Sequence, residues 1–113
     1  MPDCIFCKIA NKDIPSTVLY EDEDLLAFRD VDPKAPTHFL VIPKKHIPSA
    51  HELGKQDASI AAKIFTVIPK IADELGIENG YRIVTNIGPD GGQAVPHLHF
   101  HVLAGRPLSW PPG

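Results

Sequence analysis

His97-Leu98-His99-Phe100-His101-Val102-Leu103 is the stretch that decides how this chain is read. Three of its six histidines fall here, alternating strictly with apolar residues. That alternation is the mark of a half-buried strand. Side chains alternate faces along a strand, so His97, His99 and His101 point one way while Leu98, Phe100 and Val102 point the other. Successive histidine Cβ atoms then lie roughly 7 Å apart, twice the strand rise. The apolar side is core. The histidine side must look into a cleft or onto solvent.

Upstream, Gly88-Pro89-Asp90-Gly91-Gly92 is a turn cluster that no regular element tolerates, and Tyr81 to Ile87 reads as a strand with Ile83 and Val84 on opposite faces. Further back, Ile60, Ile64, Ile68, Ile71 and Leu75 recur at helical spacing. They predict one long helix from about Asp57 to Leu75, with Asp57 as N-cap, Gly76 after the last turn and a kink at Pro69. His38 to Ile42 is a strongly apolar strand stopped by Pro43, after a loop from Asp30 to Pro36. Thr17 to Tyr20 and Leu25 to Arg29 read as a hairpin across the acidic turn 21–24. Residues 4–11 suit a short helix with Ile5, Phe6 and Ile9 on one side, and the tail from Arg106 is proline-rich and irregular. Strands around one dominant helix predict an α+β domain over residues 1–113, with a mainly antiparallel sheet, one long helix and a short N-terminal helix.

Composition narrows the function. The 113 residues suit one core. A net charge of -3 argues against a nucleic-acid or membrane-surface binder, which would need clustered Lys and Arg. No apolar run approaches the roughly 18 residues of a membrane span. The start Met1-Pro2-Asp3-Cys4 lacks a signal peptide's basic and apolar segments, so the expected location is the cytoplasm. Cys4 and Cys7 are the only cysteines; in a reducing compartment their spacing suggests a metal half-site or a redox pair. The 12 prolines, about twice the usual ~5%, are dispersed and read as turn punctuation.

Two chemistries suit a histidine face. Histidines at i, i+2 on a strand can share a zinc ion. Alternatively, a neutral imidazole can act as a nucleophile near pH 7, given a neighbour that holds its other nitrogen as a donor. Gly88, Gly91 and Gly92 lie just upstream, and glycines let backbone N–H groups converge on an anion. A phosphate beside a nucleophilic histidine is a coherent site.

These residues resemble a known family. His97 to Leu103 is similar to the His-x-His-x-His-x-x motif of the histidine triad (HIT) superfamily. The likeness extends through Cys4-Ile5-Phe6-Cys7-Lys8-Ile9, Phe28-Arg29-Asp30, Ala35-Pro36-Thr37-His38, Val41 to His46 and Gly91-Gly92-Gln93. It looks closest to the histidine triad nucleotide-binding protein branch, as does the ending Trp110-Pro111-Pro112-Gly113. The resemblance implies a HIT-like fold and a nucleoside phosphoramidase, typically cleaving adenosine 5′-monophosphoramidates. By that likeness His99 attacks phosphorus and becomes a nucleotidyl-histidine that water hydrolyses. Asp30 accepts from the ribose hydroxyls and Val31 flanks the base or sugar. Asn86, Gly92, Gln93 and the Ala94 backbone hold the phosphate. His101 donates to a phosphate oxygen, while His38 and His97 complete the polar network.

The resemblance further implies a structural zinc on Cys4, Cys7, His46 and His97, and a homodimer whose sheet continues across the two-fold, with Trp110 reaching the partner's site. Transferase relatives carry Gln in place of His101, which favours hydrolysis here. Close relatives carry Ser where this chain has Ala94, which bears on the leaving group. The implied partner is a purine nucleotide such as AMP or an AMP–amine conjugate. Competing readings are a dinucleoside polyphosphate hydrolase, a zinc hydrolase using the triad as ligands, and a nucleotide-binding scaffold with little catalysis.

Overall fold

In a computed structural model, residues 3–113 are described; Met1 and Pro2, part of the start read for a signal peptide, lie outside them. Five strands form one antiparallel sheet in the order β1-β2-β3-β5-β4. They are β1 (Val18–Glu21), β2 (Leu25–Arg29), β3 (Thr37–Pro43), β4 (Arg82–Val84) and β5 (Phe100–Ala104). The helices are α1 (Ile5–Ala10) and α2 (Ala58–Glu74). The predicted α+β class, antiparallel sheet, long helix and short N-terminal helix are all present.

Strand parity divides the side chains between two layers. Leu25, Ala27, Phe39, Val41, Phe100 and Val102 face α2, where Ile64, Val67, Ile68 and Ile71 bury the predicted stripe. Each buried Leu, Ile, Val or Phe among them contributes about 1.5–3 kcal/mol. Leu26, Phe28, Leu40 and Ile42 face the other way and are covered by Phe6, Cys7, Ile9 and Ala10 of α1. Ile5 is not on that buried side; it is 46% exposed.

α2 runs unbroken through Pro69 and closes as predicted at Gly76. There φ is +73°, Ile77 N–H donates to Ala72 O and Gly76 N–H to Asp73 O, a Schellman closure. Asp57 stands at the N-cap position but does not cap α2. A 3₁₀ turn, Lys55–Asp57, precedes the helix, and the Asp57 carboxylate accepts from Gly54 N–H and from Lys45 Nζ at 2.6 Å instead.

Two strands are shorter than predicted. β5 begins at Phe100, not His97. Continuing its register would set Leu98 against Pro43, which has no N–H to give; Leu98 N–H donates to Ile47 O instead. β4 spans only Arg82–Val84 of the predicted 81–87, and beyond it the Thr85 hydroxyl donates to His99 O. At the other ends, Pro43 is the last residue of β3 and β1 is shifted by one, to Val18–Glu21. Ile83 packs into the α2-side core and Val84 pairs with His101, on opposite faces as predicted.

Candidate active site

One cross-strand row builds the floor of the site: Phe28 opposes Leu40, Leu40 opposes His101, and His101 opposes Val84. Above it opens a cavity of about 460 Å³, within the usual range for small-molecule sites. Part of its lining is an apolar slot formed by Phe6, Ile9, Ile14, Phe28 and Leu40. The polar part of the lining has Asp30, Asn86, His99 and His101. Val31, 99% exposed, stands at the rim, and Gly92 and Ala94 complete the lining from the glycine loop.

His99 is aimed by its own backbone. Its Nδ1–H donates to the His97 carbonyl at 2.7 Å, which leaves the Nε2 lone pair free, the requirement set out from the sequence. Phe6 packs edge-on against the ring, with centroids 5.0 Å apart. Thr85 fixes the His99 carbonyl from the other side.

His101 belongs to a relay. Lys34 N–H donates to His38 Nδ1 at 3.0 Å, so the proton of neutral His38 sits on Nε2. That N–H lies 2.9 Å from His101 Nδ1 and 3.4 Å from Asp30 Oδ2. His101 in turn carries its proton on Nε2. Burial pushes both rings toward the neutral form, and His101, with His99 and His38 as neighbours, is pushed down to about 4. Asp30, His38 and His101 also group like metal ligands. Their 2.9 Å N···N separation is that of a hydrogen bond, shorter than the about 3.3 Å between two nitrogens on tetrahedral zinc.

His97 is not brought to the cavity. Its fully buried ring donates from Nε2 to Pro43 O at 2.8 Å and turns Nδ1 to Cys4 Sγ at 3.2 Å and Cys7 Sγ at 3.5 Å. His46 Nδ1 meets Cys7 Sγ at 3.3 Å. All four donor atoms lie within 4.8 Å of one another. Two sulfurs and two imidazole nitrogens at these separations fit a tetrahedral zinc ion, with Pro43 O as the outer partner of one ligand. Burial and the adjacent Cys4 push the Cys7 thiol up.

Gln93 also lies outside the lining. Its Oε1 accepts from Gly88 N–H, and its Nε2 donates to Pro48 O and Val95 O. The Gln93 and Gly92 amides are spent on Gly88 O and Pro89 O within the turn. Gln93 thus clasps the glycine loop. The sequence reading missed this clasp, the apolar slot and the Lys34 amide. The slot had a usable signal, since Phe28, Leu40 and His101 share one parity across three strands.

A five-stranded sheet that brings His99 and His101 into one cavity, with a neutral histidine relay behind them and an apolar slot beside them, defines a histidine-based site for a small ligand. Residues 11–108 match the HIT domain, and the chain belongs to that family. An uncharacterized HIT-like protein of Synechococcus elongatus is 48% identical over 98% of this chain and 97% of its own. The structure of a HIT family hydrolase from Legionella pneumophila superposes with a TM-score of 0.95, at 49% identity over 98% of this chain and 100% of that one. A histidine triad protein from Clostridium difficile gives 0.93 and 52% over 96% of each.

Proposed function

We propose that this chain is a purine nucleoside phosphoramidate hydrolase of the nucleotide-binding branch, acting through a nucleotidyl intermediate on His99. The observation that carries the reading is the 2.7 Å bond from His99 Nδ1–H to His97 O, which leaves Nε2 as the free ring nitrogen of a residue lining a cavity that also holds a carboxylate acceptor, Asp30. The family's Legionella relative is described as a hydrolase, which agrees.

In this scheme the base lies in the apolar slot, beside Val31, and Asp30 Oδ2 accepts from the ribose. Asn86, Gly92 and the Ala94 backbone face the phosphate, and Gln93 holds their loop in place. His99 Nε2 attacks phosphorus, the P–N bond to the amine breaks, and a nucleotidyl-histidine forms. Water then attacks phosphorus and breaks the new P–N bond. Over the cycle the water oxygen ends on phosphorus, both of its hydrogens end on the released ammonium, and His99 returns neutral. His101 Nε2–H donates to the phosphoryl oxygens as charge grows on them, where a fixed donor is worth most. Ala94 offers no hydroxyl near the leaving group, so amines that need little help to depart are the preferred substrates.

Cys4, Cys7, His46 and His97 would hold a structural zinc, with His97 serving His99 through its carbonyl only. A second copy would extend the sheet at β4, the edge to whose side the tail is tied by Arg82 Nη2 donating to Leu108 O and Ser109 O, with Trp110 82% exposed. Among the described residues no helix is long and apolar enough to cross a membrane, and the expected location stays the cytoplasm.

Rapid quenching of a reaction with labelled adenosine 5′-phosphoramidate tests the mechanism. The native chain traps label on His99, and His99→Ala traps none and loses at least on the order of 10⁴ in kcat. No adduct and no turnover by the native chain overturns the enzyme reading. Faster cleavage of diadenosine polyphosphates than of phosphoramidates moves the substrate to that class.

A further inference from the structure

The relay behind His101 does not begin at His38. Its first donor, the Lys34 amide, belongs to the loop between β2 and β3, and the opposite side of the same residue is gripped from the tail. Arg106 Nε and Nη2 both donate to Lys34 O, at 3.1 and 2.8 Å, and Nη1 donates to Pro107 O at 3.1 Å. Next to it, Gly105 has φ +98° and packs so closely that a Cβ there would stand 2.9 Å from Pro36 Cβ. The tail turn therefore holds the loop at both Lys34 and Pro36.

We infer that Arg106 is a positioning residue for the phosphate-facing proton of His101. By fixing Lys34 it keeps the Lys34 N–H on His38 Nδ1, and this keeps the His38 proton on Nε2 and the His101 proton on its own Nε2. Arg106 is not among the residues that line the cavity. Its planar fork, giving two N–H groups to one carbonyl, is a geometry that an ammonium does not reproduce. A neutral imidazole has one proton for two nitrogens, so losing the donor at Nδ1 of His38 releases the choice at both rings. The inference rests on the reading of His101 as a phosphate donor.

The test uses the full chain with ¹⁵N-labelled histidine, because protonated and unprotonated imidazole nitrogens differ widely in chemical shift. In the native chain Nδ1 of His38 and of His101 are both unprotonated. In Arg106→Ala both rings move toward tautomer-averaged positions, kcat falls roughly five-fold, and KM stays within two-fold; Arg106→Lys lies between. Unchanged ring signals in Arg106→Ala overturn the inference whatever turnover does, since Arg106 is then only a surface tie. A native His38 protonated on Nδ1 overturns it as well. If the signals respond as expected but the native chain cleaves no phosphoramidate, the proton placement stands and the proposed reaction falls.

Discussion

At one end of the histidine run, the His97 ring gives its proton to Pro43 O and turns a bare Nδ1 toward two thiols. At the other end, His38 Nδ1 accepts a hydrogen bond from Lys34 N–H, and its own Nε2–H donates to His101 Nδ1. Both clusters are buried or half-buried, and both pair imidazoles at close range. The difference lies in which ring nitrogen a backbone group claims. A carbonyl claims an N–H and leaves a lone pair for the cluster; an amide claims a lone pair and leaves an N–H. Around Cys4, Cys7, His46 and His97, the bare His97 Nδ1 joins three other possible ligand atoms, which suits a cation. In the relay, lone pairs meet protons in sequence, which suits the directed delivery of one hydrogen bond.

The largest effect that separates the two clusters is metal content. Chain produced with zinc present should carry one ion, and Cys4→Ser with Cys7→Ser should carry none. A ligand bound at a hundred times its Kd stabilises by about 2.7 kcal/mol, so the double variant should also melt well below the native chain. His101→Ala should keep its zinc in full. Elemental analysis beside thermal melting checks this, and a native chain without metal, or a double variant that still holds it, would break the contrast.

The next effect is on rate. Removing a fixed donor to a developing oxyanion costs on the order of 10² to 10³ in kcat, and His101→Ala should show that loss with KM and melting temperature near native. Steady-state kinetics on an adenosine phosphoramidate reads it. A collapse in stability of the size seen for the thiol pair would assign His101 to the fold and not to the reaction.

Much of this contrast was visible in the chain, and the invisible part has a physical reason. Alternation at 97–103 placed the histidines on one face, and the cysteine spacing pointed to a metal half-site. Parity along Leu26, Phe28, Leu40 and Ile42 follows from the same rule, so the second core layer was within reach. Neither Pro43 O nor Lys34 N–H was, because main-chain groups are the same at every residue and only the fold says which ring meets which. That is why His97 could be read as either catalytic or metal-binding. Gln93 illustrates the same limit: its residue type suits a ligand contact, while its three side-chain bonds go to Gly88 and Val95 beside it and to Pro48 in the segment after β3. Ile5 failed for a simpler reason, since a six-residue helix has too few turns to define its buried side.

The smallest effect is on pH, and its sign follows from the relay. Burial holds His101 down at about 4 and lowers His38 as well, while an unfolded histidine titrates near 6.5. Between those values the unfolded chain takes up a proton that the folded ring refuses, so stability contributed by the neutral relay is lost as pH falls from about 6.5 toward 4. Above 6.5 the effect is flat. Acid also releases zinc from thiolates, so the native curve alone would mix both clusters. Comparing native chain with His101→Ala isolates the relay, because the thiol cluster is common to both. The native melting temperature should fall more steeply over that window, by roughly 4 °C in excess, about one kcal/mol at this chain length once the partly exposed ring is discounted. Over pH 5 to 8, by contrast, His101 stays neutral with its Nε2–H in place, so its titration sets no limb of the native kcat profile. Parallel melting curves for the two chains would mean that the ring protonates as freely in the fold as out of it, and the distinction between a proton-linked cluster and one suited to a cation would lose its electrostatic basis.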